Sequence, residues 1–397
     1  MTLLNTKQST ILVVDDSRPQ GYFIKKVLEQ DYETLVAFDG MEALELYKQE
    51  KPDLILLDIE MPEMDGFEVC RRVKAMSGDT FLPIIFLTSK SDVNSLIKGL
   101  QIGAEDYLTK PFAPEELIAR IRAALRTKKL YNQLEAANAI IEQERDVIAN
   151  IQRGLLCDSP PKIPGLKFFM DYQPSSKAGG DYYDFIPIDN DHLGILVSDV
   201  SGHGTPAAVI MAMMRVLFRS FLSENHSPRT TLQQLNKILR QNLETGYFIT
   251  TFYGVIHLPT RKMKFASAGH NPPILVEYDS GSVRELWLDK GIPLMILPNN
   301  EMAEGEIQLI PNSKLVLYTD GLTEAKNAEG ENFGAKRLAN TLLELGKNLP
   351  AGNLGQKVKD VIHRFMGDNK FTDDYTLVIL EVEALHKPVP LSAPARV

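Results

Sequence analysis

The sequence predicts a multidomain chain: a doubly wound α/β domain on a five-stranded parallel sheet, a helical coiled-coil linker, and an α+β domain of antiparallel strands flanked by helices. Three observations predict it. The 397 residues exceed what one ordinary core accommodates, at roughly 100–200 residues per domain. Over residues 10–126, unbroken apolar runs alternate with amphipathic stretches. From residue 130 a heptad pattern takes over, until DSPPKIPG (158–165) breaks it. The expected boundaries are 1–127, 128–157 and 158–385, followed by a Pro-rich tail, 386–397, expected to be disordered.

In the first region the runs ILVV (11–14), TLVA (34–37), LILL (54–57), PIIFL (83–87) and DYLT (106–109) are apolar rather than alternating. A parallel sheet buried on both faces requires such strands. Helical patterns such as GFEVCRRVKAM (66–76) and VNSLIKGLQIG (93–103) separate them, giving five βα units.

Leu130, Leu134, Ala137, Ile141, Glu144, Ile148, Ile151 and Leu155 then recur at steps of four and three, with polar residues between them. That is a coiled-coil seam, and it predicts a homodimer. Beyond residue 165, strand-like runs bounded by turns dominate: 192–200, 248–258, 263–270, 272–278, 314–321 and 375–383. Helical patterns at 206–222, 231–244 and 352–366 accompany them, and an antiparallel sheet system with flanking helices is the economical architecture.

Composition narrows the function classes. Hydrophobic residues at 44% and charged residues at 24% are globular values. The 52 acids against 43 bases leave no chain-wide basic footprint, and no basic helix follows residue 127, so nucleic acid is not an expected partner. The longest apolar run, 206–218, is broken by Arg215 and falls short of the roughly 20 residues that span a bilayer. The first ten residues lack the apolar core of a signal peptide, and Cys70 and Cys157 alone make no disulfide framework. A cytoplasmic protein without a membrane partner is expected.

Strand ends of the first domain supply Asp15 and Asp16, Asp58, Thr88 and Lys110. In an open α/β sheet these ends face one crevice. Three crowded carboxylates repel unless a divalent cation sits between them, and oxygen ligands favour Mg²⁺. Asp58 can then act as a nucleophile toward a phosphoryl group, with Lys110 and the Thr88 hydroxyl at the transferred oxygens. The segments VVDDS, LLDIEMPEMDGFE, FLTS and DYLTKPF resemble the receiver domain of two-component response regulators. The resemblance implies Asp58 as phosphoacceptor and Asp15, Asp16, Asp58 and the Glu60 carbonyl as the Mg²⁺ site. It also implies Thr88 and Tyr107 as a switch pair, and a sensor histidine kinase as partner.

In the third region Asp181, Asp199, Asp320 and Asp373 stand beside turns far apart in sequence. A dispersed all-Asp set favours hard cations, and a pair of them can activate water and stabilise in-line phosphoryl displacement. Taken singly, each Asp is more often a turn former than a ligand. GGDYYDF, SDVSGHGTPAA, SAGHNPPIL, YTDGLTEA and DDYTLVIL, in this order, resemble the metal-dependent (type-2C, PPM) serine/threonine protein phosphatases, nearest the bacterial sporulation and stress-response branch. That resemblance implies a β-sandwich flanked by helices holding two Mn²⁺ or Mg²⁺. The implied ligands are Asp181, Asp199, the Val200 carbonyl, Asp320 and Asp373, with Asp199 bridging. Asp374 competes with Asp373 on sequence alone. Lys177 is a candidate for substrate phosphate, while His203 and His270 are read as structural.

The expectation is therefore a response regulator whose output is a phosphoprotein phosphatase. By analogy its substrate is a phosphorylated anti-sigma factor antagonist. The rival is a phosphorylation-gated binding protein without catalysis.

Overall fold

The computed structural model describes residues 9–78, 80–89, 97, 99, 101–157, 159–221, 226–243 and 246–383. The chain start, most of the 93–103 helical pattern and the Pro-rich tail lie outside these residues. The chain divides into two compact units, Met1–Ile141 and Glu142–Val397.

The first unit holds β1 (Thr10–Val14), β2 (Glu33–Ala37), β3 (Leu54–Asp58), β4 (Ile84–Thr88) and β5 (Asp106–Thr109). Their order is β2-β1-β3-β4-β5, with every pairing parallel. β1, β3 and β4 are buried at every position, as unbroken apolar runs require. Leu12, Val14, Ile55, Leu57, Ile84 and Phe86 face one core with residues of α2 (Gly40–Glu50) and α3 (Gly66–Ser77). Ile11, Val13, Leu54, Leu56, Ile85 and Leu87 face another with Ile24 and Leu28 of α1 (Arg18–Leu28). Helix starts follow side-chain caps: Asp39 and Asp65 accept from the amides of Glu42 and Glu68, each at 2.8 Å.

Helix α4 runs unbroken over Pro114–Leu155. Its start is anchored by buried Leu117, Ile121 and Ala124. Along the expected seam, Leu130, Leu134, Ile141 and Ile151 are 60, 59, 46 and 61% exposed. Ile148 departs from that pattern and packs against the Ala149, Ala178 and Ala208 cluster.

The second unit contains two five-stranded sheets among the described residues. One is ordered β13-β10-β9-β8-β7: β13 (Gly305–Gln308), β10 (Lys262–Ala268), β9 (Ile249–His257), β8 (His192–Val200) and β7 (Tyr182–Pro187). The other is β12-β11-β14-β15-β6: β12 (Ser282–Glu285), β11 (Ile274–Glu277), β14 (Ser313–Tyr318), β15 (Tyr375–Val382) and β6 (Leu166–Gln173). All pairings are antiparallel. Leu315, Leu317, Val378 and Leu380 point into the core shared with the first sheet. Their neighbours Val316, Tyr318, Leu377 and Ile379 pack under α8 (Gly334–Gly346) and α9 (Ala351–Met366). Helices α5 (Thr205–Phe221) and α6 (Pro228–Asn242) cover the outer face of the first sheet, through Met211, Met214, Phe218, Leu232, Leu235 and Leu239. The result is a β-sandwich with helices on both outer faces, α7 (Asp320–Thr323) being one short turn at its rim.

Candidate functional site

In the first unit the strand ends bring three acids and one base together. Asp15 is buried at the end of β1, Asp16 is exposed beside it, and Asp58 is the last residue of β3. Each offers a carboxylate oxygen, and the three lie within 4.8 Å of one another. Lys110 Nζ donates to Asp15 Oδ2 and Asp58 Oδ2, both at 2.8 Å. Burial raises the Asp58 carboxyl above its ordinary value, against the pull of Lys110. Burial works to discharge Lys110, and its bonds to the two carboxylates outweigh it, so the ammonium stays charged.

The Glu60 amide donates to Asp58 Oδ1 at 3.4 Å, and its carboxylate accepts from Ser89 Oγ at 2.7 Å. Thr88 closes β4, its carbonyl accepting from the Lys110 amide at 2.7 Å. Tyr107 sits two residues earlier in register, opposite Phe86, and is 37% exposed.

In the second unit the ends of four strands meet. Asp181 precedes β7, Asp199 stands one residue before the end of β8, Asp320 opens α7 after β14, and Asp373 and Asp374 precede β15. Two of these strands belong to each sheet, so the sandwich gathers acids from distant sequence at one rim. A clasp ties the sheets there. Thr319 Oγ1 and Thr376 Oγ1 both donate to Asp181 Oδ2 at 2.7 Å. The other oxygen, Asp181 Oδ1, is buried and has no hydrogen-bond partner.

An orphaned buried carboxylate oxygen is costly unless a ligand meets it. Burial, then the field of Asp199, pushes Asp181 well above the usual carboxylate range. Asp199 is pushed to about 7 by burial and by Asp320, Asp373 and Asp374. Asp320 is raised by burial and by Asp373. Carboxyls that raise one another in this way fit a divalent cation better than they fit each other.

Close backbone approach explains two glycines of the motifs. A Cβ on Gly180 would lie 2.6 Å from the Val200 carbonyl oxygen, and one on Gly321 would lie 2.0 Å from that of Asp374. The adjacent acids do different work. Asp374 Oδ1 accepts from the Ser175 amide and hydroxyl at 2.6 and 2.9 Å, and Oδ2 from the Gly180 amide at 2.6 Å. Asp373 is half-buried, and its Oδ1 accepts from the Asp374 amide at 2.8 Å.

Lys177 is turned toward the helix, pairing with Glu142 at 2.9 Å and Asp146 at 2.8 Å. His203 is exposed. His270 is buried, its Nδ1 against Thr250 Oγ1 at 2.8 Å, and burial pushes its pKa down to about 4, so the ring is neutral. Thr319, Thr376 and Gln152 are the residues that sequence reasoning missed. The two threonines stand within the quoted YTDG and DYT motifs, which was the available signal.

Two family models match the chain. The response regulator receiver domain model matches residues 11–122, and the stage II sporulation protein E (SpoIIE) model matches residues 189–383. The response regulator MprA of Mycobacterium ulcerans is 46% identical over 131 residues, 33% of this chain and 55% of that protein. The chain thus spans about half the length of the curated relatives it matches. The RsbU and RsbW domains of Rv1364c from Mycobacterium tuberculosis align at 24% identity and TM-score 0.51, over 58% of this chain and 63% of that one. The SiaA-PP2C domain of Pseudomonas aeruginosa aligns at 23% identity and TM-score 0.55, over 62% and 98%. These two likenesses show a shared fold.

Proposed function

Since the chain belongs to the response regulator receiver family through residues 11–122 and to the SpoIIE family of PPM-type phosphatases through residues 189–383, we propose that it is a response regulator in which phosphorylation of Asp58 controls a metal-dependent protein serine/threonine phosphatase. The domain limits that go with this reading are 1–127 for the receiver, 128–157 for the linker and 158–385 for the phosphatase.

The observation that carries the reading is the rim where Asp181, Asp199, Asp320 and Asp373 meet with the Asp181 Oδ1 oxygen unpartnered. These four acids and the Val200 carbonyl would hold two Mn²⁺ or Mg²⁺. When bound, the pair supplies an activated water and neutralises the charge that develops on the phosphoryl oxygens. Thr319 and Thr376 fix the Asp181 carboxylate in one orientation, and Asp374 fixes the Ser175 to Gly180 loop around it.

At the other site Asp15, Asp16, Asp58 and the Glu60 carbonyl would hold one Mg²⁺, which would supply positive charge beside the acceptor. The Asp58 carboxylate attacks the phosphorus of the kinase's phosphohistidine, so that a P–O bond forms as the P–N bond breaks and the imidazole leaves. Lys110 already bridges Asp15 and Asp58 and is placed to follow the new phosphoryl oxygens. Thr88 and Tyr107 carry the change outward. The exposed α4 stripe pairs with a second copy of the chain, and the substrate is a phosphoprotein of the anti-sigma factor antagonist class.

The test is Mn²⁺-dependent release of phosphate from p-nitrophenyl phosphate and from a phosphoserine protein. Turnover in wild type and its loss in Asp199→Ala support the reading; no turnover at saturating Mn²⁺ leaves the domain as a binding module.

A further inference from the structure

At the opposite end of β8 from Asp199 stands a second group of ligating side chains. Asp189 and His192 flank the β7–β8 turn, and His226 immediately precedes the Ser227 cap of α6. His192 Nδ1 lies 2.9 and 3.0 Å from the two Asp189 oxygens, and His226 Nε2 lies 2.9 Å from Oδ2. The imidazoles stack at 4.1 Å and 17°. His257, the cross-strand partner of His192, adds a third ring at 5.0 Å. Its Nδ1 is engaged by Thr260 Oγ1 at 2.6 Å.

We propose that Asp189, His192 and His226 form a binding site for a borderline transition-metal dication of the Zn²⁺ class. The three ligand atoms lie within 4.8 Å of one another. Bonds of about 2.0–2.1 Å in a tetrahedral site set ligand atoms about 3.3 Å apart, so closing the set takes shifts of up to about 1.5 Å together with rotation of the two stacked rings, whose in-plane lone pairs must turn toward one point. Two imidazoles and one carboxylate select Zn²⁺, Ni²⁺ or Cu²⁺ over Mg²⁺, which prefers all-oxygen surroundings.

The chemistry needs no added co-reactant. Ligation uses the imidazole tautomer that carries its proton on the ring nitrogen away from Asp189 and presents a lone pair where the ring now shares a hydrogen bond. The Asp191 amide, donating to Asp189 Oδ1 at 2.8 Å, already orients the carboxylate. Asp189 and His226 are exposed, so an ion reaches the site from solvent and keeps an open position for water. Bound there, it ties the start of α6 to the β7–β8 turn. The site lies seven residues along β8 from Asp199, about 23 Å, and does not share its ligands.

The full-length protein, held in excess Mg²⁺ to occupy all-oxygen sites, is given one equivalent of Cu²⁺ and its electron paramagnetic resonance recorded. Nitrogen hyperfine structure from two imidazoles is expected, and it disappears in the His192→Ala/His226→Ala double variant while persisting in His363→Ala. Zn²⁺ competition against a chromophoric chelator gives a dissociation constant below about 10 µM, weakened about 100-fold in the double variant and at least about tenfold in Asp189→Asn. Circular dichroism checks that each variant is folded, and the conservative Asp189→Asn decides the matter if the double variant is not. Equal nitrogen coupling in wild type and double variant, or unchanged Zn²⁺ affinity in Asp189→Asn, overturns the site; the Asp–His pairs are then hydrogen bonds only.

Discussion

Gln152 grips Gly179 at both ends of its side-chain amide: Nε2 donates to the Gly179 carbonyl at 2.6 Å, and Oε1 accepts from the Gly179 amide at 3.0 Å. Gln152 lies in the last turn of α4 and is 4% exposed. One residue on, the Gly180 amide donates to Asp374 Oδ2, and Asp181 follows. The end of the long helix therefore holds the loop that carries a proposed metal ligand. A shift or rotation of that helix cannot leave the loop unchanged without stranding the two Gly179 groups.

Gln152→Ala removes both bonds and leaves a buried amide and carbonyl unpartnered, at a cost of about 1–3 kcal/mol. If the active arrangement bears that cost, turnover falls about tenfold or more and the Mn²⁺ requirement rises. Mn²⁺ titration of activity checks this. Unchanged half-saturation in a folded variant removes Gln152 from the account.

Asp199 gives a pH signature. Its pKa rises from about 4 to about 7 in the folded, metal-free protein, so the folded state binds more protons than the unfolded one across that window. Stability contributed by protonated Asp199 is complete below about pH 4 and is lost as pH rises through 7. In chelator, Asp199→Asn should melt close to wild type at pH 5 and above it at pH 8. Added Mn²⁺ should reverse the order at pH 8 by stabilising only wild type. Parallel melting curves for the two proteins across this range contradict the crowded-carboxylate reading.

Catalysis should follow the same residues. Removing one electrostatic stabiliser costs about 10²–10³ in rate, and removing a metal ligand should cost at least that. Asp199→Ala and Asp181→Asn should both fall this far at saturating Mn²⁺. A variant that keeps more than about a tenth of wild-type turnover loses its proposed role.

The exposed stripe on α4 predicts association. Leu134→Glu and Ile141→Glu together place two charges in the proposed seam, and light scattering should move from dimer to monomer mass. Ile148→Glu should instead destabilise the fold, because Ile148 packs against Ala149, Ala178 and Ala208. Monomeric wild type would end the coiled-coil reading.

What the sequence made legible depended on burial. β1, β3 and β4 read clearly because both faces of a central parallel strand are apolar, and β8, β14 and β15 read for the same reason inside the sandwich. The missed strands, β6, β7, β12 and β13, are the four edges of the two antiparallel sheets. SVRE and GEIQ carry charges along exposed edges, and YYDFIP is interrupted by Asp184, whose charge is met by Arg219 at 2.8 Å. Helix α8 carries no polar start signal, since Phe333 stands at its cap position and makes no side-chain capping bond. Each Asp of the site was legible from its motif. Their convergence was not, since it depends on which strand ends the two sheets bring together.

Phosphorylation at Asp58 is proposed to govern the phosphatase through α4. The direct test is the dephosphorylation rate of a phosphoprotein substrate with and without beryllofluoride, in wild type and in a variant with two Gly residues inserted after Asn138. A rise of about 5–150-fold is expected in wild type, the range of ordinary allosteric coupling, and little or none in the insertion variant. An equal response in both proteins contradicts the helix as carrier, and no response in wild type contradicts receiver control altogether.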